Sequence, residues 1–268
     1  MFDFLNYGFM VRALIAGVLI ALAAPTLGIF LVARRSSLLT DTLSHTALAG
    51  VGLGILTGFH PLLGALLVSI LAANGIEKII TKGKLSTEAV HALFLSGGLA
   101  VAVFLMSLSQ TPVSFESYLF GSIATVSASD LWLLGGTTLI IVLTVLTFWW
   151  PLVTLALSEE LAEASGVQIT SVKVGLAVLA ALTVSLSLKI VGGLLIGALI
   201  VVPVLSAMQV SRSFRSTLFI AIAFAEAAAL IGLFLSYTFN IPSGSAIVLM
   251  SLLGFLFALA NRQAKNSP

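Results

Sequence analysis

Long apolar runs broken by short polar stretches recur from one end of the chain to the other, delimiting segments at 9–33, 41–58, 60–81, 88–109, 130–157, 168–189, 193–210, 214–239 and 243–261. A bilayer core about 30 Å thick requires roughly 20 apolar residues per helical crossing, and most of these segments meet that length. The pattern predicts an all-α polytopic membrane protein with eight to nine transmembrane helices. Segment 41–58 is the odd one, being short, carrying two ionisable groups and open to a re-entrant or broken path. A closed β-barrel is set aside because 131–150 is apolar on every face, whereas barrel strands alternate in segments of ~10 residues. The polar breaks near 78–88, 110–118 and 158–167 are too short to fold alone, so residues 1–268 read as a single transmembrane domain.

Composition agrees: with 59% hydrophobic and 8% charged residues, a water-facing surface would lack polar cover. Placing the charges on the spans changes their meaning. Arg34, Arg35, Lys78, Lys82, Lys84, Lys173, Arg212, Arg215, Arg262 and Lys265 fall at the same end of alternate spans, leaving Arg12 and Lys189 as exceptions. The positive-inside rule makes that end cytoplasmic, with the N-terminus near Asp3 outside and the C-terminal tail 261–268 inside. The net charge of +2 is thereby explained as topology, and no nucleic-acid partner is expected. Without cysteine there is no disulfide, thiolate ligand or thiol nucleophile. The first 25 residues lack a basic leader followed by a short apolar region and a cleavage site, which reads as a retained first span.

Candidate chemistry begins at Arg34-Arg35-Ser36-Ser37-Leu38-Leu39-Thr40-Asp41-Thr42-Leu43-Ser44-His45. Asp41 and His45, four residues apart, share one helix face, and a carboxylate with an imidazole can hold a divalent cation. The structural alternatives are a mutual hydrogen bond or a capping role for Asp41. An ionisable pair inside a membrane is costly unless paired or solvated, which favours function. One Asp and one His are too few for a closed site, so two protomers each donate a pair or waters complete a weak one. Glu226, flanked by alanines within 214–239, is a further metal contact or a packing hydrogen bond. His60 and His91 read as interfacial residues, His91 with a place on an exit path as its alternative, and Trp149 and Trp150 as interfacial or packing groups.

Three other stretches stand out. Gly193 and Gly197 form a small-residue face for close helix packing, the alternative being that this helix lines a path along which Pro203 frees a backbone carbonyl. Ser243, after Pro242, is placed to cap the last span. In Ser158-Glu159-Glu160-Leu161-Ala162-Glu163-Ala164-Ser165-Gly166-Val167 a capping serine, acids in the first turn and a terminating glycine predict a short cytoplasmic helix with Leu161, Ala164 and Val167 as its apolar stripe. Helices lying on lipid usually carry Lys and Arg, so the glutamates favour a protein partner.

With these stretches in order, the chain resembles the zinc and manganese ABC-transporter permease family along its full length. The resemblance is carried by the basic pair preceding Asp41-Thr42-Leu43-Ser44-His45-Thr46-Ala47, by Glu160-Leu161-Ala162-Glu163-Ala164-Ser165-Gly166, by the Gly/Ala-rich segment 191–207 and by Pro242-Ser243-Gly244-Ser245-Ala246-Ile247-Val248-Leu249. It implies a permease in a bacterial plasma membrane that works as a homodimer, clamped by two copies of a separate ATPase and supplied by an extracytoplasmic metal-binding protein. It further implies that Asp41 and His45 contact the metal and that 160–166, with Glu159 before it, docks the ATPase. No family motif covers Glu226. ATP would be bound elsewhere, since no Gly-x-x-x-x-Gly-Lys-Ser/Thr loop occurs in the chain. The transported ion, zinc or manganese, would be cargo, with no permanently bound cofactor. The competing readings are a secondary transporter or channel, which ATP dependence would separate, and an importer of an iron chelate or cobalamin. An intramembrane protease is disfavoured, because no His-Glu-x-x-His occurs and Ser44 points around a different helix face from His45.

Overall fold

The computed structural model describes residues 7–83, 85–109, 115–122, 124 and 126–266; the expectations attached to Asp3, Lys84 and the Lys265 side chain lie outside the described residues. The elements are α1 (Gly8–Ala33), α2 (Leu38–Thr57), α3 (Pro61–Thr81), α4 (Thr87–Leu108), α5 (Phe115–Phe120), α6 (Ala128–Thr147), α7 (Trp149–Leu157), α8 (Glu159–Ala164), α9 (Ile169–Ser187), α10 (Ile196–Val210), α11 (Phe214–Phe239) and α12 (Ser243–Asn266). Among the described residues no strand occurs. A helix occupies each of the nine expected segments, and seven of these helices are long and apolar enough to cross a membrane.

The two that do not meet that test, α2 and α10, are packed side by side inside the bundle. Helix α2 is surrounded by α3, α4, α9 and α10, while α1 packs on α6, α10 and α11, and α12 closes against α10 and α11. Segment 41–58 is therefore not broken; α2 runs uninterrupted for 20 residues. Its low hydropathy is tolerated because neighbouring helices, rather than lipid, cover it. Its buried hydroxyls are satisfied within the helix: Thr40, Thr42, Ser44 and Thr46 donate to the carbonyls of Ser37, Leu38, Asp41 and Leu43. Close approach comes from small residues, since a Cβ on Gly50 would lie 2.7 Å from the Ala65 Cα of α3.

Two expected boundaries are corrected. Segment 130–157 is two helices, α6 and α7, separated at Phe148 with φ −100° and ψ 24°. Pro151 has no N–H to continue the ladder onto the Thr147 carbonyl, and it sits in the first turn of α7, where that loss is harmless. The 110–118 break holds the start of the short α5, which packs on α12. Trp149 packs edge-on against Phe30 and Phe214, whereas Trp150 is exposed.

The two positive-inside exceptions, Arg12 and Lys189, meet at the end of the bundle that carries α5. The Lys189 Nζ lies 2.8 Å from Oδ2 of the buried Asp130, and the Arg12 Nε donates to the Val126 carbonyl at 2.9 Å. Asp130 also closes a capping box with Ser127 at the start of α6. Segment 188–195 folds over this region: Gly193 and Leu194 donate to the Tyr118 and Leu119 carbonyls, and Ser122 donates to that of Lys189. Gly192, at φ +87°, is pressed so close to α5 that a Cβ would lie 2.5 Å from the Phe120 carbonyl carbon. Ser243 opens α12, and its hydroxyl donates to the Ile190 carbonyl at 2.6 Å rather than capping its own helix.

Candidate functional site

Helix α2 presents Asp41 and His45 one turn apart, both half-buried. The Asp41 carboxylate reaches the first turn of α10, where Gly197 makes room for it; a Cβ at 197 would overlap the Asp41 Oδ1 and come within 3.2 Å of the Thr40 Oγ1. Four residues earlier Gly193 faces Leu48 of α2, and a Cβ there would stand 3.0 Å from the Leu48 Cδ1. The small-residue face read from the sequence thus seats the start of α10 on α2. Its consequence was not legible there: Gly197 is the space an acid occupies. Asp41 lies in the first turn of α2 and against the first turn of α10, and both N-terminal dipoles favour a negative charge.

One turn further along α2, the His45 backbone lies against Gly98 of α4, where a Cβ would stand 2.9 Å from the His45 carbonyl carbon. The ring meets the backbone of Leu95, one turn earlier on α4. The His45 Nδ1 is buried and has no hydrogen-bond partner among the described residues. Asp41 and His45 form no ion pair within 4.0 Å, and no side chain caps α2, whose N-cap is Ser37. Neither structural alternative, the mutual hydrogen bond or the cap, is therefore realised. A carboxylate and an imidazole stand on one face of an enclosed helix with coordination capacity unspent.

His91 lies near the start of α4, against α2. It is buried, 6% exposed, with Nδ1 3.1 Å from the Thr42 Oγ1 of α2. The Thr42 hydroxyl also lies 2.8 Å from the Leu38 carbonyl, so it bridges the His91 ring and the backbone of its own helix. Thr42 and His91 are 49 residues apart, so no local signal pointed to the pairing. Among the described residues no three His, Asp, Glu or Cys groups converge, so neither His91 nor Glu226 completes the pair within one chain. Glu226 sits half-buried at the middle of α11, a helix that packs on α1, α10 and α12.

At the opposite end of the bundle from α5, Ser158 caps α8 by accepting from the Leu161 N–H, and Gly166 ends the turn at φ +75°. The side facing the protein is set by Ala162, fully buried, and by Glu159, whose carboxylate is 2.6 Å from the Lys173 Nζ and 4.0 Å from Arg34. Glu160, Leu161, Glu163, Ala164, Ser165 and Gly166 are exposed. Leu161 and Ala164 of the expected apolar stripe face outward, where a partner can pack on them, while Val167 is half-buried and Ala162 takes the inward position.

Comparison with known proteins identifies the family. The family model described as the ABC 3 transport family matches residues 6–262. A probable metal transport system membrane protein of Treponema pallidum is 34% identical, over 97% of both chains. The high-affinity zinc uptake system membrane protein ZnuB of Haemophilus influenzae is 30% identical over 94% of this chain and 97% of its own, and the manganese transport system membrane protein MntC of Listeria innocua is 28% identical over 95% and 91%. Among solved structures, PsaBC from Streptococcus pneumoniae in complex with a Fab superposes with a TM-score of 0.87 at 29% identity, covering 96% of this chain and 94% of that one. An inward-facing putative metal-chelate type ABC transporter, 20% identical with a TM-score of 0.74, shares the fold. The chain is a multi-pass membrane protein and belongs to the ABC 3 transport family.

Proposed function

We propose that this chain is the permease subunit of an ATP-driven, binding-protein-dependent importer of a divalent transition metal, zinc or manganese, in a bacterial plasma membrane. The observation that carries the reading is the Asp41–His45 pair, on a helix surrounded by α3, α4, α9 and α10, with an imidazole nitrogen, Nδ1, that no group among the described residues engages. Carboxylate plus neutral imidazole is a donor set that suits both ions, and its incompleteness fits a path on which the ion must also leave. A second protomer's pair or water would supply the remaining ligands. The relatives' names divide between zinc and manganese, and at an equilibrated site the Irving–Williams order favours zinc.

The chain itself binds no nucleotide in a P-loop, so energy comes from a separate ATPase pair docked on the outward face of α8. That end carries the Arg and Lys clusters and is the cytoplasmic one. The α5 end then faces the metal-binding protein, with two copies of the chain forming the membrane unit. The test is ATP-dependent uptake of zinc and of manganese by the complex reconstituted in liposomes with its ATPase and binding protein. Uptake requiring both ATP and the binding protein is expected. Uptake without ATP would make the chain a channel or secondary transporter, and uptake of a metal chelate alone would make it a chelate importer.

A further inference from the structure

The three glutamates of α8 are alike in sequence and different in place. Glu160 and Glu163 are exposed and form no ion pair among the described residues, whereas Glu159 turns back onto the bundle. Its Oε1 is 2.6 Å from Lys173, in the first turns of α9, and 4.0 Å from Arg34, which follows the last residue of α1. Both cations are largely covered, with side-chain exposures of 22% and 12%. Burial pulls the Arg34 guanidinium below its ordinary value, and Glu77 of α3 and Glu159 act against that. The cluster therefore joins α8 to the start of α9 and the end of α1.

Arg34 also begins the connection between α1 and α2. Four residues separate the end of α1 from Leu38, and Asp41 follows one turn later. The turn is tightly held: Arg35 takes φ +58°, and the Ser36 N–H donates to the Leu31 carbonyl at 2.8 Å. The connection from Arg34 to the first turn of α2 is thus short and held by its own backbone.

We infer that Glu159 is a positioning residue for transport: through Lys173 and Arg34 it transmits movement of the partner-docking helix α8 to the α1–α2 turn and so to the Asp41–His45 pair. Its neighbour Glu160 lies on the docking face and has no such route. The inference rests on the proposed function for the identity of the partner and the cargo. It differs from a docking role, since it requires Glu159 to matter after the ATPase is bound.

The experiment compares Glu159→Gln with Glu160→Gln in the full complex with ATPase. The first readout is metal transported per ATP hydrolysed. The second needs no metal: because the chain has no cysteine, Leu38→Cys, at an exposed position of α2, is a unique label site whose reaction rate is read with and without ATP. Glu159→Gln is expected to co-purify with the ATPase at wild-type stoichiometry, keep basal hydrolysis within about twofold, and lose at least tenfold in metal moved per ATP, a change of about 1.4 kcal/mol in coupling. It should also abolish the ATP-dependent change in labelling at position 38, which Glu160→Gln should lose only to the extent that it loses bound ATPase. Wild-type coupling in Glu159→Gln, a fall in uptake that only tracks loss of bound ATPase, or an unresponsive label in the parent chain would each overturn the relay. A parent complex that moves neither metal would sink the proposed function, while the labelling comparison still decides the relay.

Discussion

The two ends of the bundle each carry an ion pair, and they are built to opposite specifications. At the α5 end Lys189 meets an Asp130 that is 2% exposed, pinned as well by the backbone of its own capping box. At the α8 end Lys173 meets a Glu159 whose side chain is 55% exposed, on a helix of six residues. Losing one partner of a buried pair leaves a charge stranded, whereas a solvated pair contributes little net stability. One end is thereby fastened, and the other is left free to move.

Substituting the two lysines separates these designs. Lys189→Met should cost about 3 kcal/mol or more, because Asp130 keeps its charge in a dry site, while Lys173→Met should cost well under ~1 kcal/mol because water replaces the lost partner. Thermal unfolding of the detergent-solubilised protein measures both. Equal losses, or a smaller one for Lys189, would remove the contrast.

A smaller effect on folding, with a selective one on transport, is expected between the ends. Gly197→Ala puts a methyl group where the Asp41 Oδ1 lies, and the carboxylate has to swing away. Uptake should fall roughly tenfold, equivalent to ~1.4 kcal/mol, with protein abundance and ATPase binding close to those of the parent. Gly193→Ala meets the side chains of Leu48 and Leu188 instead and supplies the control: it disturbs the same helix contact without touching the acid. Equal uptake by both variants would show that the Gly197 contact with Asp41 has no functional weight.

Much of this was legible in the sequence, for reasons that are local. Apolar length marks helices, Ser158 and Gly166 bracket α8, and the four-residue spacing puts Asp41 and His45 on one face whatever surrounds them. What was not legible depends on residues far apart in the chain. Lys189 looked misplaced until Asp130, 59 residues away, was beside it, and nothing near His91 in the chain pointed to Thr42, 3.1 Å from its ring. The doubtful path of 41–58 has the same origin: its polarity is judged against lipid in a sequence reading, and against α3, α4, α9 and α10 in the folded chain. The break at Phe148 could have been read from Pro151 alone, since proline belongs in a first turn.

Asp41 and His45 remain the point at which fold and function meet. Their role is read most directly from metal uptake by Asp41→Ala and His45→Ala, each assembled with ATPase and binding protein and compared at matched membrane abundance and matched ATPase binding. Both variants are expected to fold and assemble, since Asp41 holds no ion pair or cap and His45 has a ring nitrogen without a partner. Both are expected to lose at least about tenfold in uptake, or ~1.4 kcal/mol. Rates near those of the parent in both variants would leave the pair without a part in moving the metal.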